Sequence, residues 1–169
     1  MAFIRTKKIK GAEYAYIVEN KWKRKKTKQK SKKYLGRVYR FDRVNMMDFY
    51  EFYDIADVKS YLKEKSKEDI VDDLLKLEMF NYGFKENKGV WSREGCFFDL
   101  KRKKVYNEKG NSIALALNEG FLTSYALRKL ISFKAYYEED GYDFAKMFIE
   151  AGIAVPKDVF VGVFSKVYK

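Results

Sequence analysis

Histidine is missing from all 169 residues, and cysteine and proline occur once each, as Cys96 and Pro156. Without histidine there is no imidazole general base near neutral pH, no Ser-His or Cys-His nucleophile pair, and no zinc site that uses imidazole. A single cysteine cannot form an internal disulfide, and the start "MAFIRTKKIKG" lacks the apolar stretch of a secretory signal. The expectation is an intracellular, cytoplasmic protein. Long hydrophobic runs are also missing. The longest that includes glycine is "VFVGVF" at 159–164, far short of the eighteen or more residues of a membrane-spanning helix. Scarce proline with abundant lysine and glutamate is compatible with a thermophilic source.

What the chain has is positive charge, unevenly placed. Residues 1–44 carry sixteen Lys or Arg against Glu13, Glu19 and Asp42, a balance of +13, whereas residues 45–169 balance at −1. This contrast predicts a basic module over 1–44 and a near-neutral α+β domain over 45–169. The hydrophobic content of 47% can supply a core without staples.

The first forty residues have strand patterning. "FIRTKKIK" ends at Gly11, "EYAYIVENKW" places Tyr14, Tyr16, Val18 and Trp22 on one side at period two, and "KQKSKKYLGRVYRF" resumes after a basic turn around Lys23 to Thr27. A small three-stranded antiparallel sheet is expected, with Lys28, Lys30 and Lys32 projecting to one face. Helices are expected over 45–83, including one opened by Ser66 and Asp69 and stopped at Gly83. Next comes a β-meander over 84–118, then helices over 121–169. Of these, one buries Leu127, Leu130 and Ile131, and the next buries Phe144, Ala145, Phe148 and Ile149. A last helix, opened by Pro156, carries Val159, Phe160, Val163, Phe164 and Val167.

The candidate nucleic-acid-binding residues are Arg5, Lys7, Lys8, Lys21, Trp22, Lys23, Arg24, Lys25, Lys26, Lys28, Lys30, Lys32 and Lys33. Disordered basic tails are poor in aromatic and β-branched residues, but this run lies between "YAYIV" and "YLGRVYRF", which have strand composition. Membrane attachment by a polybasic segment needs an apolar face or lipid anchor beside it, and neither is seen. Alternating lysines could follow a phosphate backbone while Trp22 stacks on a base. The competing reading is a solvated basic face.

The stretch "FIRTKKIKGAEYAYIVENKWKRKKTKQKSKKYLGRV" resembles the small N-terminal segment of prokaryotic insertion-sequence transposases. The matching positions are Arg5, Lys7, Lys8, Gly11, Tyr14, Tyr16, Val18, Glu19, Lys30, Tyr34, Leu35 and Gly36. The resemblance covers residues 3–38, about a fifth of the chain, and implies an accessory nucleic-acid-contacting module. The family's catalytic domain, several hundred residues long with three separated carboxylates, cannot fit in residues 39–169, so a shared module without transposition chemistry is implied.

Other motifs carry less. A nuclease centre could use Asp99 and Lys101 of "CFFDLK" with Glu78 as a metal ligand. Acidic-x-Lys pairs are expected about four times by chance, and four occur. "EEDGYD" at 138–143 fails as a calcium loop, because Tyr136 and Met147 would fall at its first and last ligand positions. Phe49, Tyr50, Phe52 and Tyr53 fit a core role, and Cys96 a buried thiol. Asn118, Glu119 and Gly120 suit either a ligand site or a strand-to-helix turn capped by Thr123 or Ser124.

The expected function is therefore non-catalytic nucleic-acid binding through a basic hairpin, DNA slightly favoured over RNA, with no cofactor or metal and with residues 45–169 open to a protein partner. The alternatives are an RNA- or ribosome-associated protein using the same sheet, and a metal-dependent nuclease in the second domain.

Overall fold

In the computed structural model, residues 2–168 are described and form an α+β fold built on two sheets. The larger has strand order β1-β2-β3-β8-β9, from β1 (Ala2–Ile9), β2 (Ala12–Lys23), β3 (Lys26–Arg40), β8 (Ile113–Leu117) and β9 (Gly120–Leu122). Between β3 and β8 come α1 (Phe49–Phe52), α2 (Val58–Glu64), α3 (Lys67–Asn81) and a four-stranded antiparallel meander, β4 (Lys85–Asn87), β5 (Val90–Arg93), β6 (Cys96–Asp99) and β7 (Lys104–Asn107). Helices α4 (Ser124–Ser132), α5 (Asp140–Glu150) and α6 (Lys157–Val167) close the chain.

The expected three-stranded sheet has five strands. Strand β3 pairs in parallel with β8, Arg37 opposite Ile113 and Val38 opposite Ala114, so one sheet runs across the charge boundary near residue 44. The reason is in "SIALAL". Its unbroken apolar run suits a strand buried on both faces, which the two-sided core of the large sheet supplies and the small meander does not. Residues 120–122, expected to lead into helix, form β9 instead, and α4 starts at Ser124, capped by the Thr123 side chain.

Local signals account for the helices. Ser66 and Asp69 form a reciprocal capping box at the start of α3, Asp48 and Asp57 cap α1 and α2, and Gly83 comes after α3 with φ +76°. The main core joins α3 (Ile70, Leu74, Leu75) with Leu115 and Leu122 of the sheet, Phe144 and Phe148 of α5, and Val159 and Val163 of α6. Ile149 departs from expectation, lying exposed on the outer side of α5. Phe49 is buried and Tyr53 donates a hydrogen bond to the Asp73 carbonyl at 2.6 Å, so the α1 aromatics serve the core. Cys96 is fully buried, and burial pushes its thiol up to about 11.

A second, smaller cluster lies under the other face of the large sheet. Ala15, Ile17, Leu35, Val38 and Ala114 pack there with Ile4, Phe121 and Tyr125 of α4. On β2 the buried side is thus Ala15 and Ile17, while Tyr14 and Tyr16 are half-buried on the side that leads to the meander. Two register shifts in the β2–β3 pairing, at Ala15/Tyr16 and Ile17/Val18, bend the hairpin at this point.

Candidate nucleic-acid interface

The β2–β3 hairpin outruns the body of the protein. Every residue from 20 to 34 is exposed, and from Glu19 to the tip the strands span ~17 Å at the usual strand rise. Lys23 pairs with Lys26, leaving Arg24 and Lys25 as a two-residue turn, tighter than the Lys23 to Thr27 turn expected. Both have positive φ, 50° and 63°. A two-residue turn with both central φ positive suits the right-handed twist of the strands but favours Asn-Gly, and a long basic side chain there is strained by roughly 1 kcal/mol or more. Replacing Arg24-Lys25 with Asn-Gly should stabilise the hairpin by about 1 to 2 kcal/mol, read as slower amide exchange along 18–31. Unchanged or faster exchange would count against the turn geometry.

The register sorts the candidate residues. Lys21 faces Lys28 and Lys23 faces Lys26 across the ladder, while Glu19 faces Lys30 and Ile17 faces Lys33. Cross-strand partners and i, i+2 neighbours share a face, so these six lysines lie on one side, that of Ile17 and α4. Lys32 is the extra residue at a register shift and makes an ion pair with Glu19 at 2.9 Å, a hydrogen bond that holds the Glu19 carboxyl below its ordinary range. Among the described residues, none of the six ladder lysines has an ion-pair partner. Trp22 lies on the opposite side, across from Thr27, and is 80% exposed.

That opposite side also carries Arg5 and Lys7. Arg5 reaches across β2 to hydrogen-bond Gln29, and the Lys7 ammonium stands 5.2 Å over the Tyr16 ring. Tyr34 gathers Tyr16 and Tyr14 at centroid distances of 5.2 and 6.3 Å, a cluster that strand alternation alone does not reveal because the bulges set it. Next to it a groove of about 670 Å³ is lined by Tyr34, Arg37 and Tyr39, but also by Glu94 and Glu108 from the meander turns. Carboxylates there make it a poorer phosphate track than the lysine side. Lys8 belongs to the lysine side of the sheet, opposite Glu13, which is held in a bidentate pair by Arg40 at 2.7 and 2.8 Å.

The residues considered for a nuclease centre lie on α3 (Glu78), at the end of β6 (Asp99) and in the turn after it (Lys101). Glu78 is buried on α3 and accepts from the Ala154 N–H at 3.0 Å; burial pushes its carboxyl up against the opposing pull of that bond, the Asn118 side chain and Arg43. Asp99 instead accepts from the Arg102 N–H in the β6–β7 turn. Among the described residues, no three carboxylate or cysteine side chains cluster to hold a metal ion. Asn118 is spent on structure. It turns β8 into β9 with φ 50°, donates to the Gly152 carbonyl at 2.7 Å and accepts from Arg43 at 2.9 Å. Gly120 packs where a Cβ would stand 2.0 Å from the Ile149 carbonyl oxygen.

Comparison with protein-family models, with curated proteins and with solved structures found no match to this chain.

Proposed function

We propose that the chain is a non-catalytic nucleic-acid-binding protein that grips phosphate backbone with the lysine side of its β2–β3 arm. The observation that carries the reading is the pair of opposed like charges, Lys21 with Lys28 and Lys23 with Lys26. Like charges directly across a ladder are destabilising, by about 0.8 kcal/mol for two unit charges 5 Å apart in water. Threonine or a Lys-Glu pair would serve a purely structural strand better. A polyanion removes the repulsion and gains from releasing its own counterions. The transposase-like pattern over 3–38 fits the same use, as a module without transposition chemistry. Among the described residues no helix is long and apolar enough to cross a membrane.

The test is competition among duplex DNA, single-stranded DNA and structured RNA over a range of salt. The six ladder lysines, each neutralising one phosphate, should by themselves contribute about −5 to the log-log slope on duplex DNA, from about −0.9 per phosphate. A slope near zero on every nucleic acid would leave only a solvated basic face.

A further inference from the structure

The lysine side of the arm does not stop at the sheet. Lys33 sits 5.1 Å over the Tyr125 ring of α4, and Lys129, one turn along that helix, sits 5.9 Å over the same ring. Beyond Lys129 the exposed Arg128 lines two neighbouring grooves of about 630 and 420 Å³, and Arg102 of the β6–β7 turn lines both as well. Arg102 is 74% exposed, with only a loose contact to Asp99 at 3.8 Å. Lys101 and Lys104 flank it in the open. Lys103 is withdrawn from this surface by a 2.6 Å ion pair with Asp72, and Glu68 is the one acidic side chain lining either groove. Composition hid the patch because acids elsewhere, such as Glu138, Glu139, Asp140 and Asp143, cancel its charge in the sum over 45–169.

We propose that the binding surface is one continuous basic track, running from the arm lysines over Lys33, Tyr125 and Lys129 to Arg128, Arg102 and Lys101, and that its occupant is the backbone of a nucleic-acid duplex. This rests on the arm reading and extends it. Two features select the duplex. The aromatic side chains of the arm, Trp22, Tyr14, Tyr16 and Tyr34, are on the other face of the sheet, the Tyr125 ring is already engaged by two ammonium groups, and Tyr106, which lines one groove, is already stacked on Phe97. What the track offers is cations at intervals, which suits a backbone whose bases are stacked inside.

The experiment compares the full chain with a track variant, Lys101→Ser with Arg102→Ser and Arg128→Ser, and with a milder pair, Lys101→Gln with Arg102→Gln, confined to the turn. Each binds a duplex and the corresponding single strand across a salt series, and each is melted to verify folding. The track variant should lose about three from the duplex slope and the turn pair about two, and the parent should hold duplex tighter than single strand at equal salt. A parent with normal salt dependence but variants that match it in slope and affinity would confine the footprint to the arm and overturn this inference alone. Tighter binding of the single strand would overturn the choice of duplex. A parent with no salt dependence at all would remove the arm reading as well.

Discussion

Replacing Lys21, Lys23, Lys26 and Lys28 with threonine is expected to make the arm more stable and the protein a far weaker binder. The stability gain comes from removing two directly opposed like-charge pairs, worth roughly 0.2 to 1 kcal/mol each, and from placing a β-branched residue at four exposed strand positions. It should be read locally, as slower amide exchange from 18 to 31, because an arm with no buried residue from 20 to 34 adds little to global unfolding. The binding loss comes from counterion release. Four missing phosphate contacts should make the salt slope shallower by about 3.6, which amounts to roughly several thousand-fold in affinity at 0.1 M salt relative to 1 M. Effects of opposite sign on stability and binding are the signature of residues kept for a partner. A more stable arm with undiminished binding would return the lysines to the status of a solvated face.

Gly120→Ala should produce the largest fall in stability of any single methyl addition in β9. An added Cβ would stand 2.0 Å from the Ile149 carbonyl oxygen, 2.7 Å from that of Glu150 and 2.6 Å from the Gly152 nitrogen. All three are backbone atoms at the end of α5, so no rotamer change can make room, and β9 or α5 must shift. Overpacking without relief costs about 3 kcal/mol or more. For a chain of this length the melting temperature should drop by roughly 6 to 12 °C. Gly141→Ala is the matched control. It lies in the first turn of α5, and its new methyl would meet only the Phe164 ring at 3.5 Å, an ordinary contact. There the better helix propensity of alanine should raise stability by about 0.5 to 1 kcal/mol. Equal melting temperatures for the two variants would mean that the β9–α5 seam is looser than these distances require.

What could be read from the sequence was local. The capping box of Ser66 and Asp69, the glycine after α3, the hairpin punctuation of the meander and the alternation that lines up Lys28 and Lys30 each depend on residues a few positions apart. What could not be read depends on distant parts meeting. Nothing in "SIALAL" says that its neighbour is β3 rather than β7, because an apolar run fits any buried strand. The shift that sets Tyr34 opposite Tyr16 is flanked by Gly36 with φ +124°, a glycine that reads equally well as a plain strand residue, and the shift between Ile17 and Val18 has no glycine at all. The basic strip at Arg102 and Arg128 comes from a turn and a helix separated by strands β7 to β9, inside a segment whose charges sum to nearly nothing.

The parallel pairing of β3 with β8 also sets an order of events during folding. Arg37 and Ile113 are partners although more than seventy residues separate them, so that contact closes a far longer loop than either hairpin does. The β1–β2–β3 hairpins are contiguous in sequence and can close early, on the microsecond scale typical of hairpins, whereas the crossover to β8 carries a large loop-closure cost. Until β8 arrives, the inner edge of β3 offers open backbone groups at Val38 and Tyr39, a template for pairing with another nascent chain. The sixteen positive charges on the same module would keep two such chains apart by mutual repulsion, so the residues proposed to grip phosphate also act as gatekeepers while the sheet is incomplete.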